Sequence, residues 1–443
     1  MGIISYEPRK SMNEDLDVWF GLPKQVKFCS VCNMSNQRPN AKNEYRHDEK
    51  TKNVTIDFDV DNICAACRNK QKQHITIDWA KREQELIDLC NKYRRTDGHY
   101  DCLVPGSGGK DSQYQAWMLK YKYGMHPLTV TWAPHMYTDV GWHNFQAWIH
   151  KGGFDNYLMT PNGRVHSLLT KLAVENLFHP FQPFIVGQKI ISYKTCLTYD
   201  IPICFYGEMP GEYGTNDSAG QKTFNEVAGM EINMDFDLDR DWKHLSLAGM
   251  KIGDICEKYK LERVDFLPYL PISRQQVEKK HIEAHYLGYY LKWDPQECYY
   301  FSVDKTGFKA NDQRTEGTYS KYNSLDDKVD NYFYYSMFIK FGFGRATHDA
   351  SQEIRNKKIT FEEGKALIKK FDGEFPTRYY KDFLEYIDMT DQEFRQTEDK
   401  FRSPHIWAKV NGQWKLRHTA NRDGVDDWLL ENKKELSYDQ ISR

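Results

Sequence analysis

Residues 101–112 constrain the fold of this 443-residue chain more than any other stretch, and they read DCLVPGSGGKDS. The apolar residues 102–104 are typical of a buried parallel strand. The glycines that follow allow a sharp turn, and residues 113–123 predict a helix with Trp117, Met118 and Tyr121 facing inward. A strand, a glycine turn and a helix start together direct backbone N–H groups and a positive helix end at an anion. This stretch therefore predicts a phosphate site.

The run SGGKDS at residues 107–112 narrows the kind of phosphate site. It lacks the Walker A spacing, which places four residues between the glycines and then Gly-Lys-Ser/Thr. It resembles instead the pyrophosphate loop of the N-type ATP pyrophosphatases, which split ATP into AMP and pyrophosphate. That resemblance implies ATP as substrate and Mg²⁺ as cofactor, with Asp111 ligating the metal or capping the helix. The residues implied to bind pyrophosphate are Ser107, Gly108, Gly109, Lys110 and Ser112, and an ordinary tight turn is the alternative.

Composition limits the class of protein. A hydrophobic content of 40% and an aromatic content of 14% are typical of a globular enzyme with a large core and two or three domains. The formal net charge of −2 offers no basic footprint, so nucleic acid is not an expected partner. No signal-peptide pattern and no apolar run of about 18 residues is present. We therefore expect a soluble cytoplasmic protein that does not contact the membrane.

The ten cysteines of the chain include two C-x-x-C pairs. Cys29 and Cys32 form the first pair, and Cys64 and Cys67 form the second. Two such pairs are the usual way to assemble a tetrahedral Cys₄ zinc site, which is structural because no coordination position stays open. The binding energy of the metal would hold together a segment that is too small for its own core. A redox dithiol pair and an iron–sulfur cluster are the alternatives.

From residue 101 onward, apolar runs alternate with helix-length amphipathic stretches. The runs are 101–105, 127–132, 154–160, 183–187 and 201–206, and the helical stretches between them include 142–151 and 166–178. An amphipathic helix predicted at 77–92 precedes the first run and links it to the cysteine segment. Such alternation is typical of βαβ units and predicts an α/β fold with a parallel sheet. Ligands of these sheets bind beyond the carboxyl ends of the strands. The residues that follow each run are therefore candidate site residues.

Several candidates follow the predicted strands. Trp132 closes the second run, and Gly187-Gln188 follows the fourth, where many pyrophosphatases of this group carry Gly-His near the nucleotide. Glu208 follows the fifth run and could hold Mg²⁺ or orient a substrate, with a helix cap as the alternative. Residues 210–225 predict a loop over the site.

The C-terminal half predicts mainly helices. Residues 275–291 form the longest predicted run, and its His281, Glu283 and His285 favour a solvated helix face over a metal site. A second glycine turn, at residues 340–349, is a candidate phosphate cradle with Arg345 as its cation and Thr347 as its possible N-cap. A basic surface turn is the alternative there.

One combination of motifs resembles the N-acetyl sugar amidotransferase family of bacterial lipopolysaccharide O-antigen and flagellin-glycan synthesis. The motifs are the paired cysteines, SGGKDS, Trp293-Asp-Pro, Gly317-Thr-Tyr, Leu325-Asp-Asp and Phe341-Gly-Phe-Gly-Arg-Ala-Thr. The resemblance covers roughly residues 25–410. It implies a zinc-binding segment at 1–76, a PP-loop ATP pyrophosphatase domain (adenine nucleotide alpha hydrolase-like) at 77–215, and a mainly helical substrate or partner region at 216–443.

The resemblance also implies an activity. ATP would adenylylate the acetamido oxygen of a nucleotide-activated N-acetyl sugar, and ammonia would replace that oxygen to give an acetamidino sugar. Lys110, Asp111 and Glu208 are the expected catalytic residues, and Arg345 and Arg355 would suit the phosphates of the sugar nucleotide. None of the ten cysteines lies in a G-x-C-x-G sequence, which surrounds the nucleophilic cysteine of many glutaminases. A separate glutaminase, similar to that of imidazole-glycerol-phosphate synthase, is therefore the expected ammonia source. The main alternative is a zinc-containing tRNA thiolase, which would use Cys196 and Cys204; a non-catalytic, nucleotide-binding zinc scaffold is another.

Overall fold

A five-stranded parallel sheet carries the predicted loop. Its strands are β1 (Cys102–Pro105), β2 (Pro127–Trp132), β3 (Asp155–Met159), β4 (Ile203–Tyr206) and β7 (Glu283–Tyr286), in the order β3-β2-β1-β4-β7. Every neighbouring pair is parallel, with Cys102 opposite Pro127 and Leu128 opposite Asp155. The central strand is β1, so the glycine turn that follows it lies in the middle of the carboxyl edge. The predicted α/β fold class is confirmed.

The computed structural model describes residues 6–11, 13–40, 44–208, 238–272 and 274–431. The predicted loop at 210–225 lies outside these residues. Within them, no helix combines the length and the apolar character that crossing a membrane requires.

Helices cover the sheet and build the rest of the chain. Those before β4 are α1 (Ala65–Thr76), α2 (Trp79–Tyr93), α3 (Lys110–Trp117), α4 (Asp139–His150), α5 (Gly163–Leu177) and α6 (Gln182–Tyr199). Those between β4 and α12 are α7 (Leu238–Asp241), α8 (Ile252–Tyr259), α9 (Arg263–Phe266), α10 (Arg274–Lys279) and α11 (Leu287–Tyr290). The later ones are α12 (Pro295–Thr306), α13 (Asp330–Phe341), α14 (Arg345–Arg355), α15 (Phe361–Phe371), α16 (Tyr380–Tyr386), α17 (Asp391–Asp399) and α18 (Asp427–Glu431).

Short elements complete the described chain. Two antiparallel pairs join β5 (Ser246–Leu247) with β6 (Met250–Lys251) and β8 (Trp407–Val410) with β9 (Gln413–Leu416). Two 3₁₀ turns lie at Glu44–Arg46 and Trp242–His244. A π-helical segment, Met118–Lys122, continues α3. Because a π turn changes which residues share a face, Tyr121 is 50% exposed, although the sequence predicted it to face inward.

The two faces of the sheet pack into different apolar clusters. Leu103 of β1 joins a cluster that includes the cysteine segment, α5, α6 and the C-terminal helices. Its neighbours Cys102 and Val104 point to the other face, where Trp148 and Trp293 are fully buried. This alternation buries β1 on both sides, as the apolar run predicted. The cysteine segment and the C-terminal helices thus share one core with the sheet.

Two predicted elements are wrong. Residues 183–187 are not a strand but the start of α6, where Pro183 occupies the first turn and the helix is buried on several sides. A short apolar run does not distinguish a buried strand from a buried helix. Residues 275–291 are not one helix, because α10 ends at Lys279 and β7 then pairs with β4. Glu283 and His285 therefore lie on a strand, with His285 buried.

Candidate active site

The glycine turn after β1 is built against its neighbours. The Gly106 amide donates to the Val130 carbonyl at 2.9 Å and so continues the sheet. Gly108 has φ +86°, and a Cβ there would lie 2.6 Å from the Cα of Phe145. Only glycine fits both the left-handed backbone and this close approach. The turn therefore lies directly on α4.

The turn presents the start of α3 to the cavity. The amide of Gly108 donates to the Ser112 hydroxyl at 3.2 Å, and that hydroxyl donates to the Gly109 carbonyl at 2.9 Å. The first intrahelical bond of α3 runs from Gln113 to the Gly109 carbonyl at 3.0 Å. Amides that precede this bond have no partner within the helix, so they can bind an anion together with the positive helix end.

Lys110 supplies the positive charge of the loop. Its Nζ lies 2.5 Å from Asp111 Oδ2 and 5.9 Å from the ring centroid of Tyr322. Burial lowers the pKa of Lys110, but the carboxylates of Asp111 and Glu208 outweigh it, so the pKa is raised and the side chain stays charged. A buried ammonium beside the helix start suits the phosphates of a nucleotide.

An acidic residue from the C-terminal region faces the same loop. The Ser107 hydroxyl donates to Asp326, and a Cβ on Gly109 would lie 3.6 Å from Asp326 Oδ2. Burial raises the pKa of Asp326 to about 6, against the hydrogen bond from Ser107 that lowers it. The neighbouring carboxylates of Asp330 and Asp327 add to this increase. Asp326 can therefore change charge near neutral pH.

The strand-end loop after β2 holds Asp326 in place. Thr138 donates its hydroxyl to the Leu325 carbonyl and its amide to the Asp326 carbonyl, the latter at 3.2 Å. His135 binds Asp327 Oδ2 twice, through its amide and through Nδ1, both at 2.7 Å. These contacts fasten a C-terminal segment to the carboxyl edge of the sheet.

The loop and these acidic residues share one cavity of about 610 Å³. Three chain regions supply most of its lining: the loop, the α6–β4 region, and the C-terminal segment that runs from Tyr322 into α14. The remaining lining residues are Pro134, Tyr286, Pro295 and Phe308. The lining residues used below are Ser107, Gly109, Lys110, Asp111, Ser112, Gln188, Glu208, Tyr322, Asp326, Asp330, Tyr334, Arg345, His348 and Gln352.

The second glycine turn leads into α14, whose Arg345, His348 and Gln352 also line the cavity. Arg345 Nε lies 2.9 Å from Asp349, and its guanidinium lies 4.2 Å from the ring centroid of Tyr334. Burial lowers the pKa of Arg345, but the Asp349 carboxylate outweighs it and the pKa is raised. Burial also lowers the pKa of His348, to about 4, so this imidazole is neutral at physiological pH. The predicted N-cap is wrong: Gly344 caps α14, while Thr347 donates to Asp372.

The structure brings most predicted site residues together. Ser107, Gly109, Lys110, Asp111, Ser112, Gln188, Glu208 and Arg345 all line the cavity. Gly108, Trp132 and Gly187 are outside its lining. Gly187 lies within α6, and a Cβ there would lie 2.2 Å from the indole ring of Trp132, so the pair is a packing contact. Arg355 lies at the far end of α14, 3.5 Å from Cys32 Sγ, and not in the cavity.

Sequence reasoning missed part of the cavity wall. His348 was not singled out. Asp326, Asp330 and Tyr334 were included only as a group, among the aromatic and acidic residues of 317–334 that were expected to suit sugar hydroxyls. Asp326 is 219 residues from Ser107, its hydrogen-bond partner. The one signal in the sequence was the acidic Leu-Asp-Asp turn just before an aromatic helix.

The four paired cysteines form one buried cluster. Their sulfur atoms all lie within 4.8 Å of one another, with 3.8 Å from Cys29 to Cys67 and 3.6 Å from Cys32 to Cys64. A tetrahedral zinc ion with bonds of about 2.3 Å would place its sulfur ligands about 3.8 Å apart. The donor set and its spacing therefore fit a structural zinc ion. Within the described parts of the chain, it is the single group of three or more candidate ligands close enough to hold a metal.

A comparison with protein families finds a match in the C-terminal part of the chain, which contributes residues to the cavity. Residues 316–420 match the family model of the C-terminal domain of WbpG-like lipopolysaccharide biosynthesis proteins. An uncharacterized protein of Methanocaldococcus jannaschii is 32% identical over 84 residues, which cover 19% of this chain and 29% of that protein. The chain thus matches less than a third of the length of this curated relative.

Solved structures with similarity to the chain include two synthetases. The NH₃-dependent NAD synthetase of Campylobacter jejuni has a TM-score of 0.24 and 10% identity, over 46% of this chain and 95% of that one. The NMN synthetase of Francisella tularensis has a TM-score of 0.25 and 12% identity, over 63% and 94%. TM-scores this low carry no argument about the fold. The fold assignment depends on the order of the strands in the sheet and on the glycine loop after β1. The match of residues 316–420 to the C-terminal domain of WbpG-like lipopolysaccharide biosynthesis proteins supports the predicted resemblance of the chain to the N-acetyl sugar amidotransferase family.

Proposed function

We propose that this protein is an ATP-dependent amidotransferase that converts the acetamido group of a nucleotide-activated sugar into an acetamidino group. One observation carries the proposal: a single cavity joins the pyrophosphate loop to residues of the family-matched domain, including Asp326, Arg345 and His348. ATP and the sugar can therefore meet in one cavity. The products are an acetamidino sugar, AMP and pyrophosphate, and the pathway is bacterial surface-glycan synthesis in the cytoplasm.

The chemistry proceeds in two displacements. The acetamido oxygen attacks the α-phosphorus of ATP, pyrophosphate leaves, and the amide nitrogen loses its proton to give an O-adenylyl imidate. Ammonia then adds to the imidate carbon, and AMP departs with the former amide oxygen. An amide is a poor electrophile, and adenylylation provides the leaving group that it lacks. The role of the protein is to position the reactants and to stabilise charge.

The loop is suited to the departing pyrophosphate. The first amides of α3 and the Lys110 ammonium surround the position where negative charge increases. Asp326 is the best-placed proton acceptor on the loop side, because its pKa of about 6 leaves it mostly ionised at neutral pH. We assign it to the proton released by the amide nitrogen.

Mg²⁺ fits the acidic side of the loop. Asp111 Oδ1 is buried without a hydrogen-bond partner in the structure, which is an unsatisfied acceptor that a hard cation would use. Asp111 and Glu208 both line the cavity and would hold the ion. When bound, Mg²⁺ supplies charge neutralisation to the phosphates of ATP.

The part of the cavity lined by α14 and its neighbours is suited to the sugar nucleotide. Arg345 pairs with Asp349 and also lines the cavity, where its guanidinium can bind a diphosphate. Tyr334 and Tyr322 offer ring faces, and neutral His348 and Gln352 offer hydrogen bonds to hydroxyls. This arrangement gives the two phosphate-bearing substrates separate walls.

The thiolase alternative lacks support at the site. Cys196 lies in α6 and Cys204 in β4, each no more than 1% exposed. Burial raises the pKa of Cys204 well above its usual value, which opposes a sulfur-carrying thiolate. Among the described residues that line the cavity there is no cysteine. The same observation opposes glutamine hydrolysis in this cavity, so we propose that a separate glutaminase delivers ammonia.

A substrate-dependence assay tests the proposal. Pyrophosphate release from ATP is measured with ammonium and either UDP-N-acetylglucosamine or UDP-glucose, which lacks the acetamido group. A panel of other N-acetyl sugar nucleotides and bulk tRNA extends the comparison. We expect release only with N-acetyl sugars. Release with tRNA, or equal release with UDP-glucose, would overturn the proposal.

A further inference from the structure

Helix α14 touches both the cavity and the cysteine cluster. Arg345, at its first position, lines the cavity together with His348 and Gln352. Arg355, at its last position, lies beside Cys32. A helix rises about 1.5 Å per residue, so α14 is long enough to lie along the cavity at one end and the cysteine cluster at the other. It therefore connects two sites that are distant in sequence.

The cluster end of α14 is fastened by two contacts. The Ser351 hydroxyl donates to the Cys32 carbonyl at 2.7 Å, and Arg355 Nη1 donates to Cys32 Sγ at 3.5 Å. Ser351 is fully buried and Arg355 is 7% exposed. Both contacts involve the first C-x-x-C pair, so a shift of that pair would shift the helix.

The charge of a zinc-loaded cysteine cluster explains why buried arginine side chains lie beside it. A zinc ion with four thiolates carries two net negative charges, which are costly in a buried site without nearby cations. Arg355 and Arg38 are both buried and within electrostatic reach of Cys32 and Cys64. Arg38 Nη1 is buried without a hydrogen-bond partner in the structure. The positive charge of Arg38 also acts to lower the pKa of Tyr334 and the pKa of His348, so Arg38 lies near the cavity residues as well. Two guanidinium groups thus match the two negative charges.

We propose that the zinc-loaded cysteine cluster positions the sugar-binding wall of the cavity through α14, with Arg355 and Arg38 as positioning residues that balance the charge of the cluster. The effect on sugar binding depends on the proposed function, whereas the effects on metal retention and on the order of α14 do not.

The pyrophosphate loop has different supports. The Ser302 hydroxyl of α12 donates to the Lys110 carbonyl at 2.8 Å, and Gln113 donates to the carbonyls of Gly108 and Asn144. None of these contacts involves α14 or the cysteines. Loss of zinc should therefore disturb residues 345–355 and leave residues 107–117 ordered.

The test uses the zinc-loaded full chain and three variants. Arg355→Met removes the charge at similar length, Arg355→Lys keeps it, and Arg417→Lys alters a fully buried arginine that pairs with Asp426 instead of a cysteine. Zinc release to a chromogenic chelator and amide hydrogen exchange are measured for each. We expect Arg355→Met to release zinc at least about tenfold faster, with faster exchange in 345–355 but not in 107–117. Arg355→Lys should retain most of the wild-type behaviour, and Arg417→Lys should release zinc at the wild-type rate.

Zinc extraction from the wild-type chain keeps the proposal testable should Arg355→Met fail to fold, because it should produce the same local exchange pattern. Unchanged exchange in 345–355 after extraction, or equal acceleration in both segments, would overturn the proposal. So would wild-type zinc release by folded Arg355→Met. UDP-N-acetylglucosamine affinity, measured in parallel, should fall about fivefold or more in Arg355→Met, while pyrophosphate affinity stays within about twofold. If the wild-type chain binds no sugar nucleotide, the proposed function fails while the metal and exchange readouts still decide the role of α14.

Discussion

Lys110 and Asp326 face the same loop with opposite charges, although 215 residues separate them in the sequence. Lys110 belongs to the run that predicted the site, and its environment keeps it charged. Asp326 arrives from the C-terminal region and has a pKa of about 6. In the proposed mechanism, Lys110 stabilises the leaving pyrophosphate and Asp326 accepts a proton, so single substitutions should separate the two roles.

Lys110→Ala should lower pyrophosphate release by about 100- to 1000-fold, because a preorganised charge at a leaving group contributes about 3–4 kcal/mol. Zinc content and thermal stability should stay close to those of the wild-type protein. Lys171→Ala is the matched control, since Lys171 binds Asp388 outside the cavity. Release by Lys110→Ala within a few fold of the wild-type rate would refute the loop assignment.

Asp326→Asn should change stability with a particular pH dependence. Because the pKa of Asp326 is raised in the folded state, its stabilising contribution is complete below the unfolded pKa and is lost as the pH rises through about 6. Relative to the wild-type protein, Asp326→Asn should gain about 1–2 kcal/mol between about pH 4 and pH 8, after allowance for solvent screening. Denaturant unfolding at both pH values measures this gain. The exposed control Asp304→Asn should show none, and a flat difference for Asp326→Asn would contradict the account.

At the scale of elements, sequence patterns correctly predicted the helices and strands whose formation depends on nearby residues. The strands β1 and β2, the glycine turn and helices α2, α4 and α5 each follow from apolar periodicity and turn chemistry within a short window. Residues 183–187 and 283–286 were assigned wrongly because burial, and not periodicity, decides their form. The strand β7 exists because β4 offers it a parallel neighbour, and that pairing joins positions about 80 residues apart.

Gly108→Ala should distort the loop and destabilise the protein by about 2 kcal/mol or more, since it adds a Cβ at φ +86° and 2.6 Å from the backbone of Phe145. Pyrophosphate release should fall along with stability. Gly163→Ala is the matched control, because a Cβ there has no neighbour within 4 Å at the start of α5. Thermal unfolding and activity together test the pair. Equal behaviour of the two variants would contradict the tight fit of the turn.

At the scale of the whole molecule, the cysteine segment, the sheet and the C-terminal helices share one apolar cluster. The sequence predicted the cysteine site completely, because each C-x-x-C pair is local and only one further pairing was needed. It predicted the loop half of the cavity for the same reason. The part of the cavity lined by residues 322–352 depends on how this segment folds back onto the sheet, and no short window of sequence contains that information.

Cys64→Ser should lower zinc content and the melting temperature together, by roughly 5 °C or more, because a structural zinc site contributes folding free energy directly. Elemental analysis and thermal unfolding of the same preparation measure both effects. Cys256→Ser is the control, since Cys256 is partly exposed and lies outside the cluster. Full stability of Cys64→Ser without metal, or iron in the wild-type protein, would exclude structural zinc.

The proposed ammonia supply leads to a prediction about the nitrogen source of the isolated chain. With no cysteine among the described cavity residues, the isolated chain should use ammonium at alkaline pH and should not use glutamine. Ammonium ions are not nucleophilic, so neutral pH should lower the rate until a glutaminase partner supplies sheltered ammonia. Amidine formation from glutamine by the pure chain would contradict this prediction.

The most direct measurement of the central claim follows one oxygen atom. An N-acetyl sugar nucleotide that the enzyme accepts is prepared with a heavy oxygen isotope in its acetamido carbonyl, and it is incubated with the enzyme, ATP, Mg²⁺ and ammonium. If the amide oxygen attacks the α-phosphorus, mass spectrometry should find the label in the phosphate of AMP and none in pyrophosphate, with amidino sugar and labelled AMP formed in equal amounts. Amidino sugar accompanied by unlabelled AMP, or label recovered in water or pyrophosphate, would contradict the account.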